Sequence, residues 1–335
     1  MSLKFLDTTE VLTRAHVSGQ YDVEEAWVES LHYQDIQHLE VEGEGLFLMT
    51  DWALSQLATK LGIPGKYALH CIAESAGELK AQFDSWIRHK SEGAKDWRVY
   101  LRIRLLKGEK IDGVIRGVMF PTFTKLDDAE VLEVIVSSLR DAHMRFSLAT
   151  PEHGPNPKDP ENPESCYDLV IDDPIPLPPH EHGGHIYIGL HILNSAVGKM
   201  ALSIRISLQD DKGTMLFFDR PCRGPLAHYW HKDVEEDAAI DHIHAQVLEW
   251  KRKKSDIRKT VLANTSLYSD TTDVRARLIR GGIGPEVSRQ IISHNPYLSS
   301  GTPLGLAFAV AHYAKGAQSS ARALMYQGVA GKLLL

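Results

Sequence analysis

Hydrophobic and polar residues alternate most strictly over the segment Trp97–Leu105. Val99, Leu101 and Ile103 form an apolar set at every second position. The residues between and beside them are Arg98, Tyr100, Arg102 and Arg104. A period of two predicts a strand with one buried face and one solvent-exposed face. After a Lys-Gly-Glu-Lys turn, residues Ile111–Phe120 predict its partner strand.

The remaining pattern predicts an α+β fold: a mostly antiparallel sheet backed by helices, with a helical C-terminal region. Further strands are expected over Ile186–Ile192, Met200–Gln209 and Gly213–Arg220, and a helix over Asp128–Leu139. We divide the chain into a polar N-terminal segment (1–45), an α+β core (46–232) and a helical region (233–335). The core contains a Pro-rich loop insertion at 150–184, in which only Tyr167–Ile171 has the pattern of a strand.

Composition limits the setting more than the activity. Three widely spaced cysteines, Cys71, Cys166 and Cys222, fit neither a disulfide framework nor a structural zinc site. No apolar run approaches the length of a membrane span, and the first residues lack a secretory pattern. We therefore expect a cytoplasmic protein without a membrane partner. The net charge of −7 counts against a dedicated duplex-DNA binder but permits a local basic groove.

One segment carries a family resemblance. Gly189–Ser207 has an Asn-Ser-x-x-Gly turn before an apolar strand, formed by Asn194, Ser195 and Gly198. Blocks in the early helix, the segment before Asp127–Asp128 and the C-terminal helix agree with the same family in order. The chain thus resembles the phage/plasmid-like proteins of domain of unknown function 932, although Cys222 lacks the asparagine that often follows. The resemblance implies a gene on a mobile element in a bacterial host and little chemistry.

The basic face of the strand predicts a nucleic-acid contact. Guanidinium groups can pair with phosphates, and Tyr100 could stack on an exposed base. Lys107, Lys110 and Arg116 extend this face at the strand tip and on the return strand. Such a sheet suits single strands, and it is compatible by analogy with strand-annealing recombinases of phages. The alternatives are a solvated face paired with acids such as Glu109 and Asp112, and a face that binds a protein.

A second basic cluster follows Trp250. Lys251, Lys254 and Arg258 share a stripe at helical spacing, which could track phosphates. A solvated helix exterior is the alternative. Asn194–Ser195 is interpreted as a turn rather than a nucleophile, and Asp127–Asp128 as a pair that caps a helix start.

The histidines offer a different hypothesis. His180, His182 and His185 lie in one loop and could hold a divalent metal. Their spacing matches no familiar zinc signature, so we expect no cofactor, and a metal-dependent hydrolase stays an alternative.

The sequence thus predicts a protein that binds single-stranded DNA and serves strand annealing in recombination. It predicts no catalytic residue and a homo-oligomer along the strand. The other alternative is a protein-binding inhibitor of host defence, of the anti-restriction type, for which the acidic charge is suited.

Overall fold

The computed structural model describes residues 20–35, 37–93, 97–105, 112–149, 165–179, 184–218, 225–232, 234–267, 274–293 and 295–334. The strands are β1 Gln20–Trp27, β2 Leu31–Tyr33, β3 His38–Val41, β4 Gly45–Met49, β5 Arg98–Leu105, β6 Gly113–Met119, β7 Phe146–Ala149, β8 Ser165–Ile171, β9 Ile175–Pro176, β10 His185–Asn194, β11 Leu202–Asp210, β12 Met215–Phe217 and β13 Ala227–Tyr229. The helices are α1 Asp51–Lys60, α2 Gly65–Glu74, α3 Ala76–Gly93, α4 Asp128–Asp141, α5 Glu236–Ala263, α6 Val274–Arg280, α7 Pro285–Ser293, α8 Pro303–Ala314 and α9 Ser320–Lys332.

The strands form two sheets rather than one. The first has the order β1-β5-β6-β4-β3-β2, in which only the β4–β6 pair is parallel. The second has the order β12-β11-β10-β8-β7 and is antiparallel, with β13 added to β11 and β9 to β10. The predicted α+β class, the antiparallel character and the helical C-terminal region are confirmed. The predicted boundary at residue 45 coincides with the first residue of β4, and β1 to β3 precede it in the same sheet.

Each sheet has its own hydrophobic core. In the first, Val99, Leu101 and Ile103 of β5 share a core with Leu57 of α1 and Phe83 of α3. In the second, the apolar positions of β10 and β11 pack with helices α4, α5 and α8. The apolar half of the β5 alternation therefore does what its period predicts, because it lies against helices.

The C-terminal helices close the second core. Helix α8 is apolar around most of its circumference, and nearly all its residues are buried, as expected of a helix inside a core. Its N-cap is Thr302, whose Oγ1 accepts a hydrogen bond from the Gly305 amide at 3.0 Å. In α9, a Cβ at Gly331 would lie 1.6 Å from the carbonyl oxygen of Phe217, so only glycine lets this helix approach β12.

None of the helices in the ten described segments is long and apolar enough to cross a membrane.

Candidate functional site

The predicted basic face of β5 is partly buried. Tyr100 is 3% exposed and Arg102 is 0% exposed, so the expectation of a solvent-facing surface is wrong for these two residues. The alternation is real, but both faces of β5 are covered between Val99 and Ile103. Period-two patterning shows which side chains share a face, and it does not show whether a second layer covers the polar one.

The covering layer comes from the segment between the two sheets. The Arg102 guanidinium donates to the Asp127 carboxylate across 2.5 Å, and the Phe123 ring stacks on Tyr100 at a centroid distance of 5.9 Å. Asp127 occupies the N-cap position of α4 but makes no side-chain cap hydrogen bond, so the capping interpretation is wrong for it. Its carboxylate instead pairs with Arg102. At Tyr100 and Arg102, the polar side of β5 is therefore an intramolecular contact rather than a ligand surface.

The other predicted residues of this face have different positions. The Arg98 guanidinium lies 5.0 Å from the Trp27 ring centroid, Arg104 is exposed, and Arg116 is partly buried. Lys107 and Lys110 lie outside the described residues. Only part of the predicted phosphate-binding surface is thus open to solvent.

The second basic cluster is held against the second sheet. Asp173 accepts from the Lys254 amino group at 2.6 Å and lies 3.5 Å from the Arg258 guanidinium. The Lys254 hydrogen bond, helped by both positive charges and opposed by partial burial, lowers the pKa of Asp173. Lys251 remains exposed. Two of the three predicted phosphate contacts are therefore ion pairs that fasten α5 near the end of β8.

Of the three histidines predicted to hold a metal, the structure describes only His185. His180 and His182 lie outside the described residues. The His185 amide donates to Asp211 Oδ2 at 2.8 Å, and its Nδ1 lies 3.4 Å from the same oxygen. Among the described residues, no group of three or more histidine, cysteine or acidic side chains could hold a metal ion.

The Asn194–Gly198 turn ties the two sheets together. The Asn194 amide donates to the Leu126 carbonyl at 2.6 Å and to Asp128 at 2.8 Å. The Ser195 hydroxyl accepts from the Lys199 amide at 2.9 Å, which confirms the interpretation of this serine as a turn residue. Gly198 has φ of 71°, a conformation that favours glycine.

Helix α1, which packs on the first sheet, contacts the same turn. The Trp52 indole and the Gln56 amide both donate to the Val197 carbonyl, at 3.0 and 3.1 Å. Gln56 also accepts from the Val118 amide at 2.8 Å, so one side chain links a strand of the first sheet to the turn.

Beside this turn lies a cavity of about 400 Å³, which we call the junction pocket. Its lining residues come from α1, the end of β6, the Asn194–Gly198 turn and the segment after β13. They are Gln56, Lys60, Val118, Met119, Phe120, Thr122, Phe123, Gly198, Met200, Trp230, His231 and Lys232. A volume of this size is typical of small-ligand sites.

Two aromatic rings of the junction pocket face solvent. Trp230 is 68% exposed and Phe120 is 52% exposed. Deeper in the pocket, Phe123 stacks between Tyr100 and His231, at centroid distances of 5.9 and 5.1 Å. Of the predicted site residues, Tyr100 thus contributes through Phe123, as a buried support for the pocket rather than as a stacking surface.

The junction pocket carries positive charge that is only partly solvated. The Lys60 amino group lies 3.3 Å from the centroid of the Phe120 ring, a cation–π contact, and Lys232 lines the same cavity. Burial lowers the pKa of Lys60 to about 8, because desolvation penalises its charged form. Burial also lowers the pKa of His231, and its Nδ1 lies 3.1 Å from the Thr124 carbonyl. A neutral histidine and a titratable lysine therefore meet at one aromatic site.

Sequence patterning missed the junction pocket. Lys60 ends a helix, Phe120 follows a strand, and Trp230 lies more than a hundred residues later. The sequence signal that could have indicated the pocket is the position of Phe120 and Trp230, each directly after a strand. A large apolar side chain at such a position does not enter the core.

The chain matches no model of a protein family, no curated protein and no solved structure.

Proposed function

We propose that the junction pocket binds an exposed base of a single-stranded nucleic acid. The observation that carries the proposal is the pair of solvent-facing rings, Trp230 and Phe120, beside the amino group of Lys60. Proteins that bind single strands without sequence preference combine aromatic platforms with a positively charged groove. The role expected from the sequence is kept, but its centre moves from the β5 face to the junction pocket.

The chemistry of the pocket suits one nucleotide better than a paired helix. A base that stacks on Trp230 must present its flat face, which duplex stacking hides. Lys60 and Lys232 supply point charges for the adjoining phosphates. The exposed Arg104 and the partly buried Arg98 would extend the path along the first sheet. Because every base has a flat face, this mode gives little sequence preference.

The setting that we propose follows from the sequence. It is the cytoplasm of a bacterial host, with the gene on a mobile element and the chain assembled into a homo-oligomer along the bound strand. Strand annealing is the process that such an assembly would serve. Cys71 and Cys166 are free, which agrees with a reducing compartment.

The affinity for a single strand should fall by about fivefold between pH 7 and pH 9, because Lys60 loses most but not all of its charge over this range. Lys60 has a pKa of about 8, so its charge is present below that pH and is lost as the pH rises. One charged contact to phosphate is worth about 1.4 kcal/mol, which is tenfold in affinity. The measurement is the fluorescence anisotropy of a labelled oligonucleotide across this pH range, at two salt concentrations.

The Lys60→Met variant should bind more weakly at pH 7 and lose the pH dependence. His231 does not imitate this behaviour, because its lowered pKa keeps it neutral from pH 7 to pH 9. Lys332→Met is the matched control: this lysine is exposed at the end of α9 and does not line the junction pocket, and its variant should retain both the affinity and the pH dependence. An unchanged pH dependence in Lys60→Met would remove the lysine from the site.

A further inference from the structure

Three side chains on the second sheet form a chain of contacts separate from the junction pocket. Cys166 and Asp168 are two residues apart on β8, so they project from the same face. His191 of the neighbouring strand β10 is paired directly with Asp168. Its Nδ1 lies 2.5 Å from Asp168 Oδ1, and its Nε2 lies 3.8 Å from the Cys166 sulfur. A thiol, an imidazole and a carboxylate are thus connected in that order.

The surroundings of His191 favour the charged form of its imidazole. His191 is only 4% exposed, and burial alone would lower its pKa. The negative charges of Cys166 and Asp168 outweigh burial and raise the pKa of His191 to about 10. An imidazole next to the sulfur is the arrangement in which a cysteine acts as a nucleophile. Cys166 itself is partly exposed.

A second cation lies on the same face of the sheet. Arg205 of β11 is paired with His191, and the Phe217 ring touches both: its centroid is 5.0 Å from the His191 ring and 4.4 Å from the Arg205 guanidinium carbon. His228 of β13 is paired with Ser203 of β11, and burial, followed by the positive charge of Arg205, lowers the pKa of His228. The strand register thus places Asp168, His191 and Arg205 in one row on the face of the sheet that also carries Cys166.

We propose that Cys166 is a catalytic nucleophile for acyl transfer. His191 is its acid–base partner, and Asp168 orients the imidazole. The substrate is an acyl compound that bears a second, negatively charged group. Nucleophile, base and orienting carboxylate in contact are the geometric signature of covalent catalysis. Arg205 provides the counter-charge for the substrate's carboxylate.

The reaction has two balanced steps. The Cys166 thiolate attacks the acyl carbon of an ester or thioester, a carbon–sulfur bond forms, and the bond to the leaving group breaks. The leaving oxygen or sulfur takes the proton from His191 Nε2. Water, deprotonated by the neutral imidazole, then attacks the thioester carbon, and release of the carboxylic acid regenerates the thiolate and the imidazolium.

The first test is the pH dependence of alkylation by iodoacetamide, followed at each cysteine by mass spectrometry of the full chain. An ordinary thiol reacts about 25-fold faster at pH 9 than at pH 7, because of its thiolate fraction. The alkylation rates of Cys166 at pH 9 and pH 7 should differ by less than about fivefold, and in His191→Gln they should again differ by about 25-fold. The buried Cys71 serves as an internal reference that reacts slowly at both pH values. An ordinary pH dependence of Cys166 in the unaltered protein would overturn the proposal, and this result does not depend on any variant folding.

The second test uses two esters with one leaving group, 4-nitrophenyl acetate and the anionic mono-4-nitrophenyl succinate. The succinate ester should release nitrophenolate in a burst of one equivalent and leave a succinyl thioester on Cys166. Cys166→Ser should abolish the burst, and Arg205→Gln should lower the ratio of succinate to acetate reactivity by about tenfold. A burst that persists in Cys166→Ser, or a ratio that Arg205→Gln leaves unchanged, would contradict the nucleophile or its anionic substrate.

Discussion

Replacing Asp127 by alanine is expected to lower the free energy of unfolding by about 3 to 5 kcal/mol. The reason is the position of its partner. Arg102 is 0% exposed, and it donates to Asp127 at the contact between the two sheets. Without the carboxylate, whose side chain is 33% exposed, the fully buried guanidinium loses a charged partner. The measurement is urea denaturation followed by circular dichroism.

The matched control is Asp173→Ala. Asp173 also pairs with a cation across the fold, but its side chain is 50% exposed, and Lys254 can be solvated after the change. We expect a loss of about 0 to 1 kcal/mol for this variant. Replacing Arg102 by methionine in the Asp127→Ala background should recover part of the stability, because it removes the buried charge. Equal losses for Asp127→Ala and Asp173→Ala would show that burial of Arg102 does not set the cost.

Replacing Trp230 by alanine should weaken single-strand binding by about 5- to 150-fold, with little change in stability. Stacking of one base on an aromatic ring contributes about 1 to 3 kcal/mol, which corresponds to this range of affinity. The indole is 68% exposed, so its removal leaves the cores intact. Anisotropy titration of a labelled oligonucleotide gives the affinity, and urea denaturation checks the stability.

Trp86→Ala is the control for this variant. Trp86 is also a surface tryptophan, 39% exposed on α3, where it makes an edge-on contact with His89. It does not line the junction pocket. Its removal should leave the affinity within about twofold. If the two variants lost the same affinity, the loss would come from general surface change rather than from stacking in the junction pocket.

The elements of the fold could be predicted because their signals are local. The apolar positions of β5 enter a core, Tyr167–Ile171 lies within β8, and α4 begins at Asp128 as the pattern indicates. The division of strands between two sheets could not be predicted, because pairing depends on contacts between residues distant in sequence. β4, for example, pairs in parallel with β6 across helices α1 to α3.

The candidate sites depended on such distant contacts even more strongly. Arg102 was expected to face solvent, because nothing near it in sequence shows that Asp127 covers it. Cys166 was noted only for its spacing from other cysteines, and His191 was not considered. The pairing of β8 with β10 nevertheless places Cys166 and Asp168 beside His191. A cysteine and an aspartate at every second position of a strand, with a histidine in the next long strand, is a signal that a search for acid–base partners can use.

The binding of single strands in the junction pocket is tested most directly by photochemical cross-linking. A single-stranded oligonucleotide that carries 5-iodouracil reacts on irradiation with aromatic side chains stacked on the base, and mass spectrometry identifies the attached residue. We predict cross-links at Trp230 or Phe120, which an excess of unlabelled single strand suppresses and an equal amount of duplex does not. Cross-links confined to other aromatic residues such as Trp27 or Trp86, or none while the oligonucleotide is bound, would contradict the proposed site.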